Sequence, residues 1–337
     1  MSEHRVDIVP VNLEKHPNAD SLSIVRINEY TAVVRTSDWL GKNKAAYIEP
    51  DYVVPCDRPE FDFLKTSFKP IENSGVKGYR IKAKRLRGIV SMGLLVPCPD
   101  DAEIGENYID KLGIVRYEPP MRCSGGPNQN VPGVDAAPSP PGVYYKYDVE
   151  NGYRYAASMI EGEEVVVTEK VHGANARFVF ADDKMHCGSR TEWKKESDSN
   201  LWWKALAGHP ELREFCEANP GVCVYGEVYG QVQDLKYGVG GAVMFVAFDL
   251  LRACQWIPHD EARYLGKNLP WVPILYRGPY VKEAIFELAD GDSVVASWWN
   301  TKQIREGIVI RPVVERSCHA LPRVQIKVVS NDYLERQ

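Results

Sequence analysis

Residues 116–145 contain the run EPPMRCSGGPNQNVPGVDAAPSPPGV. Proline removes backbone donors and glycine weakens regular elements, so no helix or long strand runs through such a stretch. It reads as a Pro/Gly-rich linker and divides the 337-residue chain in two. Before it, residues 1–115 contain short apolar runs, LSIVRINEY, TAVVRT, AAYIEP and GLLVP, separated by turn signals such as HPNAD and ENSG. Helical periodicity is poor there, which predicts a small β-barrel. After it, residues 146–337 mix strand-like runs with one helical stretch, LWWKALAGHPELREFCEANP, which His209-Pro210 should break into two helices. The expected fold class is therefore α+β.

Bulk properties exclude several classes. Hydrophobic residues are 44% and charged residues 26%, enough apolar material for a core in each part. No apolar run reaches membrane-spanning length, and the N-terminus MSEHRVDIVP has no secretory core, so a cytoplasmic protein without a membrane partner is expected. The eight cysteines form no CxxC, which points to reduced thiols rather than to zinc or disulfides. A net charge of −5 gives no global nucleic-acid footprint, so any such surface is a local patch.

Four strand-like segments carry an ionisable residue where an apolar one is expected: Lys170 in EKVHG, Glu227 in YGEVYG, Glu306 opening EGIVIRP and Lys327 in QIKVVS. Around Lys170 the flanks VVV and FVF are plain strand, so an edge strand or a hairpin turn at Gly173 would also explain the interruption. Taken together, two lysines and two carboxylates on the strands of one domain make a chemical set, because charge is rarely buried unless paired. A lysine amine becomes a nucleophile when neighbouring positive charge or desolvation lowers its pKa. Carboxylates recruit Mg²⁺ with its waters, a second lysine neutralises charge on a transferring phosphoryl group, and an aromatic ring stacks on a base. In FVAFDL, strand alternation puts Val246, Phe248 and Leu250 on one face and Phe245, Ala247 and Asp249 on the other.

These segments resemble the lysine nucleotidyltransferase superfamily of DNA ligases, RNA ligases and capping enzymes. KVHG is similar to motif I, SRTEW to motif Ia, YGEVYG to motif III, FVAFDL to motif IIIa, EGIVI to motif IV and QIKVV to motif V, all in order between residues 170 and 327. Histidine in motif I followed by GAN resembles ATP-dependent RNA ligases. A β-rich module placed first, with ten residues after Lys327, resembles the RNA ligase 5 group, which has an N-terminal OB-fold β-barrel and a C-terminal, ATP-grasp-like nucleotidyltransferase domain of antiparallel sheets with helices. The resemblance implies that Lys170 carries AMP and that Lys327 assists it. It further implies that Glu169, His172, Gly173, Asn175, Arg190, Glu227, Phe248, Glu306 and Lys327 bind the nucleotide. Glu227 and Glu306 serve the metal and ribose, Arg190 the phosphate and ribose, and Phe248 the adenine. The implied cofactors are ATP and Mg²⁺ or Mn²⁺. The implied partner of the monomer is RNA with 3′-OH and 5′-phosphate ends, including nicked duplex, in RNA repair.

One departure is Val329, where motif V often has a second lysine. Arg311 or Arg323 would then supply that charge, or the pattern is offset to Gln325. HPNADSLSIVRI and KAKRLRGIVSMGLLVP resemble tRNA-binding OB modules, with Lys82, Lys84, Arg85 and Arg87 as a basic cluster suited to RNA phosphates. DNA ligase, capping guanylyltransferase and non-catalytic RNA-binding chains remain the alternatives.

Overall fold

The computed structural model describes residues 4–117, 135–230 and 232–336. Most of the Pro/Gly-rich linker, residues 118–134, lies outside the described residues. The chain forms two compact units: Met1–Pro120 with Gly152–Ala156 and Asn331–Gln337, and Met121–Asn151 with Ala157–Ser330. These units depart from the sequence division in two places. Residues 152–156 and 331–337 fall in the first unit, where Arg154 binds Glu49 at 2.8 and 2.5 Å and Asp7 at 2.6 Å. Tyr153 stacks on Tyr30 with centroids 5.4 Å apart. Such long-range ion pairs leave no periodic trace in the sequence.

The first unit is built from short strands. Leu22–Ile27 and Tyr30–Arg35 form a hairpin, Lys44–Ile48 lies between Ile8–Pro10 and Leu94–Val96, and Tyr52–Pro55 pairs with Val76–Arg80. Lys84–Leu86 and Ile89–Ser91 close a tight hairpin whose tip, Arg87 and Gly88, has positive φ at both positions, as a two-residue loop with the right twist requires. The HPNAD turn holds this tip. His16 Nδ1 accepts from the Asn18 amide, Nε2 faces the Leu86 carbonyl at 3.3 Å, and the Asn18 side chain donates to the Arg87 carbonyl at 3.0 Å.

Two largely antiparallel sheets make the second unit. The larger has seven strands, ordered Ala136–Ala137, Trp193–Lys194, Lys184–Gly188, Gly173–Ala181, Cys223–Gly230, Val243–Arg252 and Gln255–Trp256. The smaller runs Glu150–Asn151, Ile326–Val329, Gly307–Pro312, Glu164–Lys170, Ile274–Pro279, with only the first pair parallel. Helices Leu201–Gly208 and Pro210–Ala218 flank His209, and Asn200 caps the first through the Trp202 and Trp203 amides. Leu201, Trp202, Leu206 and Leu212 bury one face of the larger sheet against Phe178, Val224 and Phe245. Among the described residues no helix is long and apolar enough to cross a membrane, and the cysteines are free.

Candidate active site

The KVHG stretch is neither an edge strand nor a hairpin. Lys170 ends an internal strand of the smaller sheet, and Gly173 opens a strand of the larger one, so the chain changes sheet at Val171–His172. This puts Lys170 where the two sheets meet. Gly173 is required by close approach, because a Cβ there would lie 2.1 Å from the Val228 carbonyl oxygen. Gly307, opposite Lys170, is under the same constraint from the Val328 carbonyl at 2.1 Å.

Lys170 Nζ donates to Glu306 Oε2 at 2.7 Å. His172 Nδ1 lies 3.5 Å from the same oxygen, and its Nε2 lies 2.7 Å from Asp234. The Tyr237 hydroxyl accepts the His172 backbone amide at 2.6 Å. Burial alone would lift the Glu306 carboxyl, yet Lys170 and His172 outweigh it and hold it down to about 2. Burial likewise disfavours charge on His172, but the Glu306 and Asp234 carboxylates raise it to about 9. Glu227 is pushed up to about 8, mainly by burial, with Lys170 pulling the other way. Two carboxylates in one cleft are thus driven apart, a pattern common at functional sites.

Register decides which other residues share the cleft. Directly opposed residues are Lys170–Gly307–Val329 and, two residues along, Thr168–Val309–Lys327, so Lys170 and Lys327 project from one face. On the larger sheet Asn175, Glu227 and Val246 are directly opposed. Asn175 presents a buried Oδ1 that lacks a hydrogen-bond partner among the described residues. Arg190, in the turn between Lys184–Gly188 and Trp193–Lys194, is paired with Asp148. The Glu169 carboxylate departs from its expected place in the cleft. It points to the opposite face from Lys170, is buried, and caps the short helix Val294–Ser297 through Ser293 Oγ and the Val294 amide, the latter at 2.8 Å.

The alternation expected around Phe248 also fails. A bulge shifts the register between Tyr225 and Gly226, which pair with Asp249 and Ala247 respectively, and leaves Phe248 as the extra residue. Past the bulge the parity inverts. Leu250 joins Phe245 and Ala247 against the helices, while Asp249 turns to the Glu227 side. Phe245 packs on Phe178 at 5.1 Å, whereas Phe248 lies 4.5 Å from the Tyr147 ring. Asp249 is fully buried and binds Arg311 at 3.2 Å, Arg323 at 2.7 Å and the Tyr147 hydroxyl at 2.9 Å. Burial raises its carboxyl, and the two guanidinium groups more than reverse this. Both arginines offered for the missing motif V charge are therefore paired with carboxylates, Asp249 and Glu315, and Gln325 donates to Tyr147 at 2.8 Å. Sequence reasoning missed Asp234, Tyr237 and Tyr147. All three lie outside strands, where no alternation marks them.

In the first unit, Lys82, Lys84, Arg85 and Arg87 are exposed. Arg85 forms a bidentate pair with Glu335 at 3.1 and 2.7 Å.

Both parts of the chain resemble known proteins. The RNA ligase family matches residues 163–329, and an OB-fold domain matches residues 6–98. Solved structures of Naegleria gruberi RNA ligase share the fold. A lysine mutant with ATP and Mn aligns at TM-score 0.80 and 22% identity, over 99% of each chain. The same ligase with PPi aligns at 0.79 and 23%, and a mutant with AMP and Mn at 0.80 and 22%, each over 98% of both chains. No curated protein matches the chain. The twin sheets with their lysine cleft, preceded by an OB-fold domain, define a member of the nucleotidyltransferase superfamily. Within it, residues 163–329 match the RNA ligase family.

Proposed function

We propose that this chain is an ATP-dependent ligase that joins an RNA 3′-OH to a 5′-phosphate through Lys170, in the repair of broken RNA. The observation that carries this reading is the Lys170 amine held 2.7 Å from Glu306 at the junction of the two sheets. Lys170, once deprotonated, attacks the α-phosphorus of ATP, and pyrophosphate leaves with the electrons of the broken bond. The AMP then passes to the RNA 5′-phosphate and frees the lysine. Finally the 3′-OH attacks that phosphate, its proton is lost, and AMP departs. Lys327, on the face of Lys170, lies suitably to offset phosphate charge. Phe248 offers a ring for the adenine, and Asn175 Oδ1, opposite Glu227, is an unfilled acceptor for a nucleotide hydroxyl or amine.

The donor set fits a hydrated divalent cation. No group of three His, Cys, Asp or Glu side chains among the described residues is placed to ligate a metal directly. Glu227 and Glu306 instead suit Mg²⁺ or Mn²⁺ that keeps most of its waters. When bound, such a cation draws charge from phosphate oxygens. The similar ligases were solved with ATP or AMP and Mn, which supports the same use here. Lys82, Lys84 and Arg87 are proposed RNA phosphate contacts, with Arg85 partly diverted to Glu335. The test offers 5′-phosphorylated and 5′-hydroxyl RNA strands with ATP, GTP or no nucleotide. Sealing that requires both the 5′-phosphate and ATP supports the reading; sealing of neither strand, or a requirement for GTP, contradicts it.

A further inference from the structure

Trp298 and Trp299 are unusual among the eight tryptophans. They remain 49% and 38% exposed, whereas Trp39, Trp193, Trp202 and Trp271 are buried. Two adjacent exposed indoles leave a large apolar area in water, and such patches mark interaction sites.

Their mounting is rigid. They follow the helix Val294–Ser297, whose N-terminus is fixed by Ser293 and the buried Glu169 carboxylate. The Trp299 indole N–H points to the Tyr229 hydroxyl at 3.4 Å, and Tyr229 is directly opposite Gly173 on the Glu227 face of the larger sheet. Gln303, just beyond the pair, accepts from the Tyr237 amide at 3.0 Å, and Tyr237 in turn holds the His172 backbone. The tryptophan segment is thus tied on two sides to the sheet crossing that carries Lys170. Lys302 beside it is 84% exposed, with Asp292 only loosely placed at 3.5 Å, and so presents positive charge to solvent.

We infer that Trp298 and Trp299 form a stacking shelf for an RNA base next to the end being sealed, with Lys302 meeting a flanking phosphate. The inference rests on the ligase reading above and deepens it. A nucleobase fits better than a protein side chain for two reasons. The shelf is tied through Tyr229 and Tyr237 to a cleft whose proposed substrate presents flat π-faces, and an indole stacks on any base without reading its sequence. Stacking would hold an RNA end in register with Lys170 regardless of the sequence at the break.

The test uses the full chain and a 5′-phosphorylated oligoribonucleotide. Trp298→Ala should raise the RNA KM for sealing by about 10-fold or more, the scale of losing one base stack. Trp298→Phe should recover most of it, because the ring is kept. RNA should quench the intrinsic fluorescence of the parent, and much of that quench should vanish in the Trp298→Phe/Trp299→Phe chain. This titration needs neither ATP nor ligation, so it tests the shelf even if the ligase reading fails. Parental KM in Trp298→Ala, or an undiminished quench in the double variant, would overturn the shelf and leave the face to a protein partner.

Discussion

At the scale of single residues, the site separates groups that react from groups that hold. Glu306 lies against both Lys170 and His172, and Glu227 faces Asn175 across its strand. Glu306→Ala and Glu227→Ala should each lower sealing by at least ~100-fold, the scale of deleting one preorganised electrostatic contact. Parental sealing rates in both variants would show that the carboxylates are bystanders. The two phenylalanines should part company. Phe248→Ala should raise the ATP concentration needed for half-maximal sealing, and Phe248→Trp should raise it less. Phe245→Ala, by contrast, should unfold at lower denaturant while its ATP requirement changes little, since Phe245 is packed on Phe178 in the core. An ATP defect confined to Phe245→Ala would reverse the assignment. The residue types of the cleft were legible in the sequence because charged groups interrupt apolar strands. The facing of Asp249 and Leu250 was not, because a single bulge inverts the parity on which alternation depends. Nor was the role of Glu169, whose helix-capping contact lies 124 residues away at Ser293.

Secondary elements carry a pH signature of their own. The helix His259–Leu265 begins with a histidine that is 2% exposed and lies beside Asp260 at 3.2 Å. Burial, reinforced by Arg311, depresses its imidazole from 6.5 to about 4. The unfolded chain therefore binds a proton near pH 6.5 that the folded chain refuses until about pH 4. Stability is retained above pH 6.5 and falls as the pH drops through that window, by up to roughly 3 kcal/mol. Urea unfolding at several pH values should show this loss in the parent, and His259→Asn should flatten it. Equal slopes in the two proteins would mean that His259 does not govern the acid limb. The strands around the core were readable from their apolar runs, and the paired helices from the His209-Pro210 break. The change of sheet at Val171–His172 was not readable, because both halves of the run look like one strand until their partners are known.

For the whole molecule, the Pro/Gly-rich stretch marked a division that the fold only partly follows. Arg154 and the terminal helix Asn331–Arg336 belong to the first unit, although most of the chain around them belongs to the second. Contacts such as Arg154 with Glu49 and Arg85 with Glu335 join residues far apart in sequence, which no local pattern reveals. Phosphate contacts weaken with salt in proportion to their number. Replacing Lys82, Lys84 and Arg87 together with alanine should therefore weaken RNA sealing and flatten its dependence on salt. Arg85→Ala alone should change that slope less than Lys84→Ala, because Glu335 already offsets its charge. An unchanged slope in the triple variant would give the first unit another purpose. The central claim is that Lys170 forms the covalent bond to AMP, and one measurement meets it directly. The protein is incubated with α-labelled ATP and divalent cation, denatured, digested, and the labelled peptide identified by mass. The account predicts AMP on the peptide containing Lys170 and no label on Lys170→Met, whereas label on another residue, or undiminished labelling of that variant, would contradict it.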